Sequence, residues 1–139
     1  MTKPAAAALL YRLHELAFRT QYAELKDRTR AAGTLLPGTP GTLYERRGTG
    51  NAQWYRVYYA APGLQVEDWV GSGGDEAAVV SATAQIAFAK WASKQVSDLR
   101  KLEFQVADKG VARVLVELHN RGVFDAGLIV VGTLCYMAW

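Results

Sequence analysis

Residues 42–72 read TLYERRGTGNAQWYRVYYAAPGLQVEDWVGS, and the fold turns on this stretch. Three β-prone runs, 42–46, 53–60 and 64–70, are separated by Gly48-Thr49-Gly50-Asn51 and by Pro62-Gly63. Both spacers are strong turn signals, because Gly and Asn tolerate the backbone conformations that tight turns need and Pro presets one of them. The simplest product is a three-stranded antiparallel meander. Strand side chains alternate between faces, so Trp54, Arg56 and Tyr58 share one face of the middle run while Tyr55, Val57 and Tyr59 share the other. Large side chains on both faces mark this strand as central.

Upstream, residues 33–41 hold two prolines and three glycines and must be a connector. Residues 4–32 show Leu9, Leu13, Leu16 and Ala23 at near-helical spacing, with Pro4 suited to a first turn and Gly33 to the stop, which predicts a helix. Its basic residues Arg12, Arg19, Lys26 and Arg30 are interspersed with Glu15 and Glu24, the pattern of a solvated face. Downstream, Asp75 can cap a helix by accepting hydrogen bonds from free backbone N–H groups. The short run Gly73-Gly74-Asp75-Glu76 coincides with part of the signature of cyclic-dinucleotide synthases, but it leads into an alanine-rich helix and reads as a cap. Phe88, Ala92, Val96, Leu99, Leu102 and Val106 predict one continuous apolar stripe. Gly110 interrupts it, and Val111, Val114, Leu115 and Leu118 mark a further short helix ending at Gly122. The run Leu128-Ile129-Val130-Val131 predicts a strand buried on both faces, broken by Gly132-Thr133.

The 139 residues are 50% apolar and 21% charged, the composition of one globular domain and neither a disordered nor a fibrous chain. The longest apolar stretch, 126–139, falls short of the ~20 residues of a spanning helix. Residues 1–11 lack a convincing cleavage site, and a cytoplasmic protein with no membrane partner is expected. One cysteine, Cys135, excludes an intrachain disulfide, and His14 and His119 lie too far apart in sequence for a zinc pattern. A net charge of +3 suits an anionic partner without demanding one.

Two groups of residues could carry function. In the meander, Trp54, Tyr55, Tyr58 and Tyr59 with Arg46, Arg47 and Arg56 combine stacking surfaces with phosphate-seeking cations, so nucleic-acid contact is one expectation. The competing expectation is that the meander's aromatics are structural, since three strands are stable only when a face is packed. At the other end, Gly132 and Thr133 follow a buried strand and precede apolar Leu134, Cys135, Tyr136 and Met137. Bare backbone N–H groups and a hydroxyl at the start of a helix form the kind of turn that holds phosphate.

Several segments together resemble the bacterial proteins with a nucleotidyltransferase fold of the minimal type, over nearly the whole chain. They are Gly41-Thr42-Leu43, Trp54-Tyr55 with Tyr58-Tyr59, Trp69-Val70-Gly71, the helix from Asp75, Val114-Leu115-Val116-Glu117-Leu118, Gly122-Val123-Phe124 and the run 128–133. The resemblance implies that Gly132 and Thr133 bind the phosphates of a nucleoside triphosphate. It also implies Mg2+, held by an Asp-x-Asp/Glu pair on the next strand, and transfer of a nucleotidyl group to an unknown acceptor. No Asp or Glu follows Gly132, and no Asp-x-Asp pair exists. The expectation is therefore the N-terminal part of such an enzyme, inactive by itself, with residues 1–109 as a helix–meander–helix region and 110–139 as the truncated start of the catalytic core. The fold class expected is α+β: an N-terminal helix, a three-stranded antiparallel meander, a long helical region, and the first strand of that core. The alternative is a nucleic-acid or protein binding module built on the aromatic and basic meander.

Overall fold

A computed structural model describes residues 13–131. Its elements are α1 (Leu16–Ala32), β1 (Thr42–Arg46), β2 (Gln53–Ala61), β3 (Leu64–Ser72), α2 (Glu76–Lys101) and α3 (Lys109–Asn120). The class is α+β, with an N-terminal helix, a three-stranded antiparallel sheet in the order β1-β2-β3, and then helices. Among the described residues, no helix is long and apolar enough to cross a membrane.

The sheet follows from the alternation and turns of 42–72. Leu43 pairs with Arg56 and Tyr44 with Tyr55, while Arg56 pairs with Asp68 and Val57 with Glu67. Register shifts at Trp54/Tyr55 and at Tyr59/Ala61 interrupt the β2–β3 ladder. Trp54 therefore pairs with Gly71 and Tyr55 with Trp69, leaving Val70 as the extra residue of a bulge.

Gly71 shows where the helical layer lies. A Cβ built on it would come within 3.2 Å of the Ala78 Cβ, so the first turn of α2 sits over the face that Gly71 shares with Trp54. The Asp75 side chain accepts a hydrogen bond from the Ala78 N–H, the capping role its sequence position suggests. Helix α1 lies against α2, joined by Gln21 to Gln95 at 2.8 Å and by the Arg28 guanidinium 4.5 Å over the Trp91 ring. Buried apolar side chains among the described residues are Tyr58, Ile86 and Leu99.

Three boundaries differ from the sequence expectations. The first helix does not run unbroken over 4–32: residues 13–15 are not helical, and 4–12 lie outside the described residues. The His14 ring stacks on Phe104 at 3.8 Å instead of joining a helical turn. The stripe expected through Val106 ends early, because α2 stops at Lys101 and Glu103 takes φ 67. Phe104 then donates its N–H to the Leu99 carbonyl and turns its ring toward Tyr22 and His14, so the aromatic contact is made after the helix and not along it.

The third difference concerns 128–131, expected as a strand buried on both faces. These residues form no strand, and Ile129 and Val131 are 78% and 79% exposed. A doubly buried strand needs a backbone ladder on each side and a layer on each face. Among the described residues the sheet consists of β1, β2 and β3 alone, and offers this run neither.

Candidate functional site

The connector 33–41 is held from both sides. At the end of α3, His119 Nε2 lies 2.7 Å from the Gly33 carbonyl oxygen, and the Asn120 side-chain amide both accepts from the Leu35 N–H and donates to the Leu35 carbonyl, each at 2.8 Å. On the sheet side, the Thr39 N–H donates to the Tyr59 carbonyl at 3.0 Å and Thr39 Oγ1 accepts from the Tyr59 N–H at 2.9 Å. Gly38 and Gly41 permit this approach. Both have positive φ, and a Cβ on Gly38 would meet the Tyr58 ring at 2.7 Å.

Under the connector lies Arg56, with only 4% of its side chain exposed. Its guanidinium donates to the carbonyls of Pro40 at 3.1 Å, Pro37 at 2.8 Å and Thr39 at 2.6 Å. It also stacks 3.8 Å over the Tyr58 ring and lies 3.9 Å from the Asp68 carboxylate. Burial lowers the Arg56 pKa from its ordinary value, opposed by Tyr58 and Asp68. A guanidinium can fill this role because its fixed fork reaches several acceptors at once and it remains charged when buried.

The opposite face of the sheet is different. Arg46 and Tyr44 extend from β1, Gln53 and Tyr55 from β2, and Glu67 and Trp69 from β3, all on one side by register and alternation. Tyr44 and Tyr55 stack at 5.8 Å, and the Arg46 guanidinium lies 4.6 Å over Tyr55 and 5.5 Å over Tyr44. Arg46 donates to the Tyr44 hydroxyl and, at 2.8 Å, to Glu67. This hydrogen bond with Glu67 raises the Arg46 pKa further. Trp69 is 62% exposed, yet its indole N–H is anchored on Gln53 Oε1 at 2.7 Å. On this face Trp69 and Tyr59 are exposed and Tyr44 and Tyr55 half-buried, whereas Tyr58 on the other face is buried.

The seven meander residues singled out in the sequence are therefore split between the faces: Arg46 meets Tyr55 on the open side, and Arg56 meets Tyr58 on the other. Arg46 lies on the open face, and Arg47 lies just past β1, exposed and paired with Glu45 at 2.8 Å. Trp54 and Arg56 belong to the helix-facing side, and Arg56 has its donors committed to backbone carbonyls. Tyr44, Gln53 and Trp69 complete the open cluster and were not singled out. Alternation alone could have found Tyr44 beside Arg46, but placing Trp69 across from Tyr55 requires the two register shifts that flank it, at Tyr59/Ala61 and at Trp54/Tyr55.

Gly132 and Thr133 lie outside the described residues. All thirteen Asp and Glu lie within 13–131, and among the described residues no group of three or more His, Cys, Asp or Glu could hold a metal ion. These carboxylates are spread over separate elements, several of them engaged as caps or ion pairs, and do not gather into a donor set that fits Mg2+. No family model, curated protein or solved structure matches the chain.

Proposed function

We propose that these residues are the N-terminal part of a nucleotidyltransferase, whose Gly132-Thr133 turn holds the phosphates of a nucleoside triphosphate and whose acceptor is a hydroxyl group. The observation that carries this reading is the run 128–131. It is apolar throughout, has no ladder partner among the described residues, and leaves Ile129 and Val131 more than three-quarters exposed. A stretch with that composition gains stability by joining a sheet, and the resemblance assigns it to the first strand of a catalytic core. The short helix α3 delivers it there. Asp108 caps α3 by accepting from the N–H groups of Gly110 and Val111, and the bonds from His119 and Asn120 fix the end of the helix on the connector.

In this reading, Gly132 lets the backbone approach an anion without a Cβ in the way, and Thr133 adds a hydroxyl donor. The carboxylates that such chemistry requires are not among these 139 residues and have to come from further polypeptide. The test is calorimetric titration of a form carrying that carboxylate pair with a nucleoside triphosphate and magnesium. Gly132→Val should abolish binding while circular dichroism shows an unchanged fold. Thr133→Val should weaken it by about 1 kcal/mol, the worth of one neutral hydrogen bond. A folded Gly132→Val protein that binds as tightly as the parent would sink the reading.

A further inference from the structure

We infer that the open face of the sheet is a stacking platform for the unpaired bases of a single-stranded nucleic acid, formed by Trp69, Tyr55, Tyr44, Arg46 and Gln53. The inference stands on the sheet alone and holds whether or not the 132–133 turn binds triphosphate.

Trp69 carries it. A tryptophan 62% exposed presents most of a large apolar ring to water, and its bond to Gln53 fixes the ring on the sheet instead of letting it fold away. Such a ring offers a π-face at little further cost in side-chain entropy. Next to it, across the β2–β3 ladder, lie Tyr55 and its stacked neighbour Tyr44, topped by the planar guanidinium of Arg46. Base stacking on aromatic rings and guanidinium planes is the common mode of sequence-tolerant single-strand recognition, and an open antiparallel sheet spaces the platforms for successive bases.

A planar guanidinium among the rings favours this occupant over an apolar protein segment. The platform's cation is Arg46, and its acidic neighbour Glu67 is held by it at 2.8 Å, whereas Glu45, across from Trp54, and its partner Arg47 belong to the other face. Asp68, half-exposed, belongs to the other face with Arg56. A backbone phosphate can replace Glu67 as the partner of Arg46, and the chain's net charge of +3 attracts a polyanion at longer range.

The experiment is fluorescence anisotropy of the 139-residue chain with labelled single-stranded oligothymidylate, an abasic oligomer of the same length, and a duplex, at about 50 and 200 mM salt. The expected result is binding to the single strand at least tenfold tighter than to the abasic oligomer or the duplex. Trp69→Ala should lower single-strand affinity tenfold or more. Arg46→Gln should weaken it and flatten the salt dependence. Trp69 is mostly exposed and should fold when truncated, which thermal melting checks; Trp69→Phe, which keeps a π-face, should retain most of the affinity. Three results would overturn the inference: no single-strand binding at low salt, equal affinity for the abasic oligomer, or full affinity in a folded Trp69→Ala protein. The first would leave a protein partner as the occupant of this face, and the second would reduce the contact to charge alone.

Discussion

At the scale of single residues, Arg56 has the most consequential environment. Its three carbonyl acceptors belong to the connector, so the residue sets where 33–41 crosses the sheet as well as filling space beneath it. Removing the guanidinium leaves the carbonyls of Pro37, Thr39 and Pro40 without their donor, while Tyr58 loses its stacking partner. Arg56→Met, similar in length and apolar, should destabilise the protein by roughly 3–5 kcal/mol. Arg56→Lys keeps the charge but cannot reach all three acceptors, and should cost about 1–3 kcal/mol. Urea unfolding followed by circular dichroism measures both, and an unchanged midpoint for Arg56→Met would remove Arg56 from the fold's framework. In the sequence, Arg56 reads as a cation in an aromatic strand, equally suited to phosphate contact. Its burial depends on a connector more than a dozen residues away, and no local pattern encodes that.

Among the elements, the helix ends show how local chemistry and tertiary contact divide the work. Asp75 and Asp108 cap α2 and α3 through their own neighbouring N–H groups; the first cap is among the sequence expectations, while α3 starts at Lys109, ahead of the expected Val111. The end of α2 is not legible in the sequence, because Phe104 leaves the helix for contacts with Tyr22 and His14. In the last turns of α2, Asp98 accepts from Lys94 at 2.7 Å and lies 3.4 Å from Lys101. Chiefly the hydrogen bond from Lys94, and then that from Lys101, holds the Asp98 carboxyl below the usual carboxylate range. A lowered folded-state pKa means that the pair contributes stability above the unfolded carboxylate pKa, and that this is lost as pH falls through the folded value. The wild-type melting temperature should therefore fall more steeply than that of Asp98→Asn below about pH 4, while the two proteins converge at the lowest pH. Parallel thermal melts across that range test it, and identical pH profiles would show the pair to be idle. The site is exposed, so the difference is expected to be small and to shrink with salt.

For the whole molecule, the arrangement of layers governs what chemistry is open to it. The carboxylates are dispersed over caps and surface pairs, and these residues by themselves should show no nucleotidyl transfer. Incubation with labelled nucleoside triphosphates, magnesium and cell extract should leave the protein fraction without transfer activity; robust label transfer that purifies with the protein would refute this. The class, the meander with its two turns, the cap at the start of α2 and the punctuation at Gly33 can be read locally, because turn chemistry, capping and side-chain period act within a few residues. Tertiary structure alone decided which face of β2 is covered. Alternation separates Trp54, Arg56 and Tyr58 from Tyr55, Val57 and Tyr59, and side-chain polarity would put the Val57 set inside, yet it is the Arg56 set that is covered. The choice was made by where α2 and the connector lie, through the close approach of Ala78 at Gly71 and the hydrogen bonds that Arg56 donates to the connector. The same placement leaves Tyr44, Tyr55 and Trp69 on the open side, and leaves 128–131 without the layers that its apolar composition led one to expect. Burial is a property of what packs against a residue, and for a strand with large side chains on both faces the packing partner is distant in sequence.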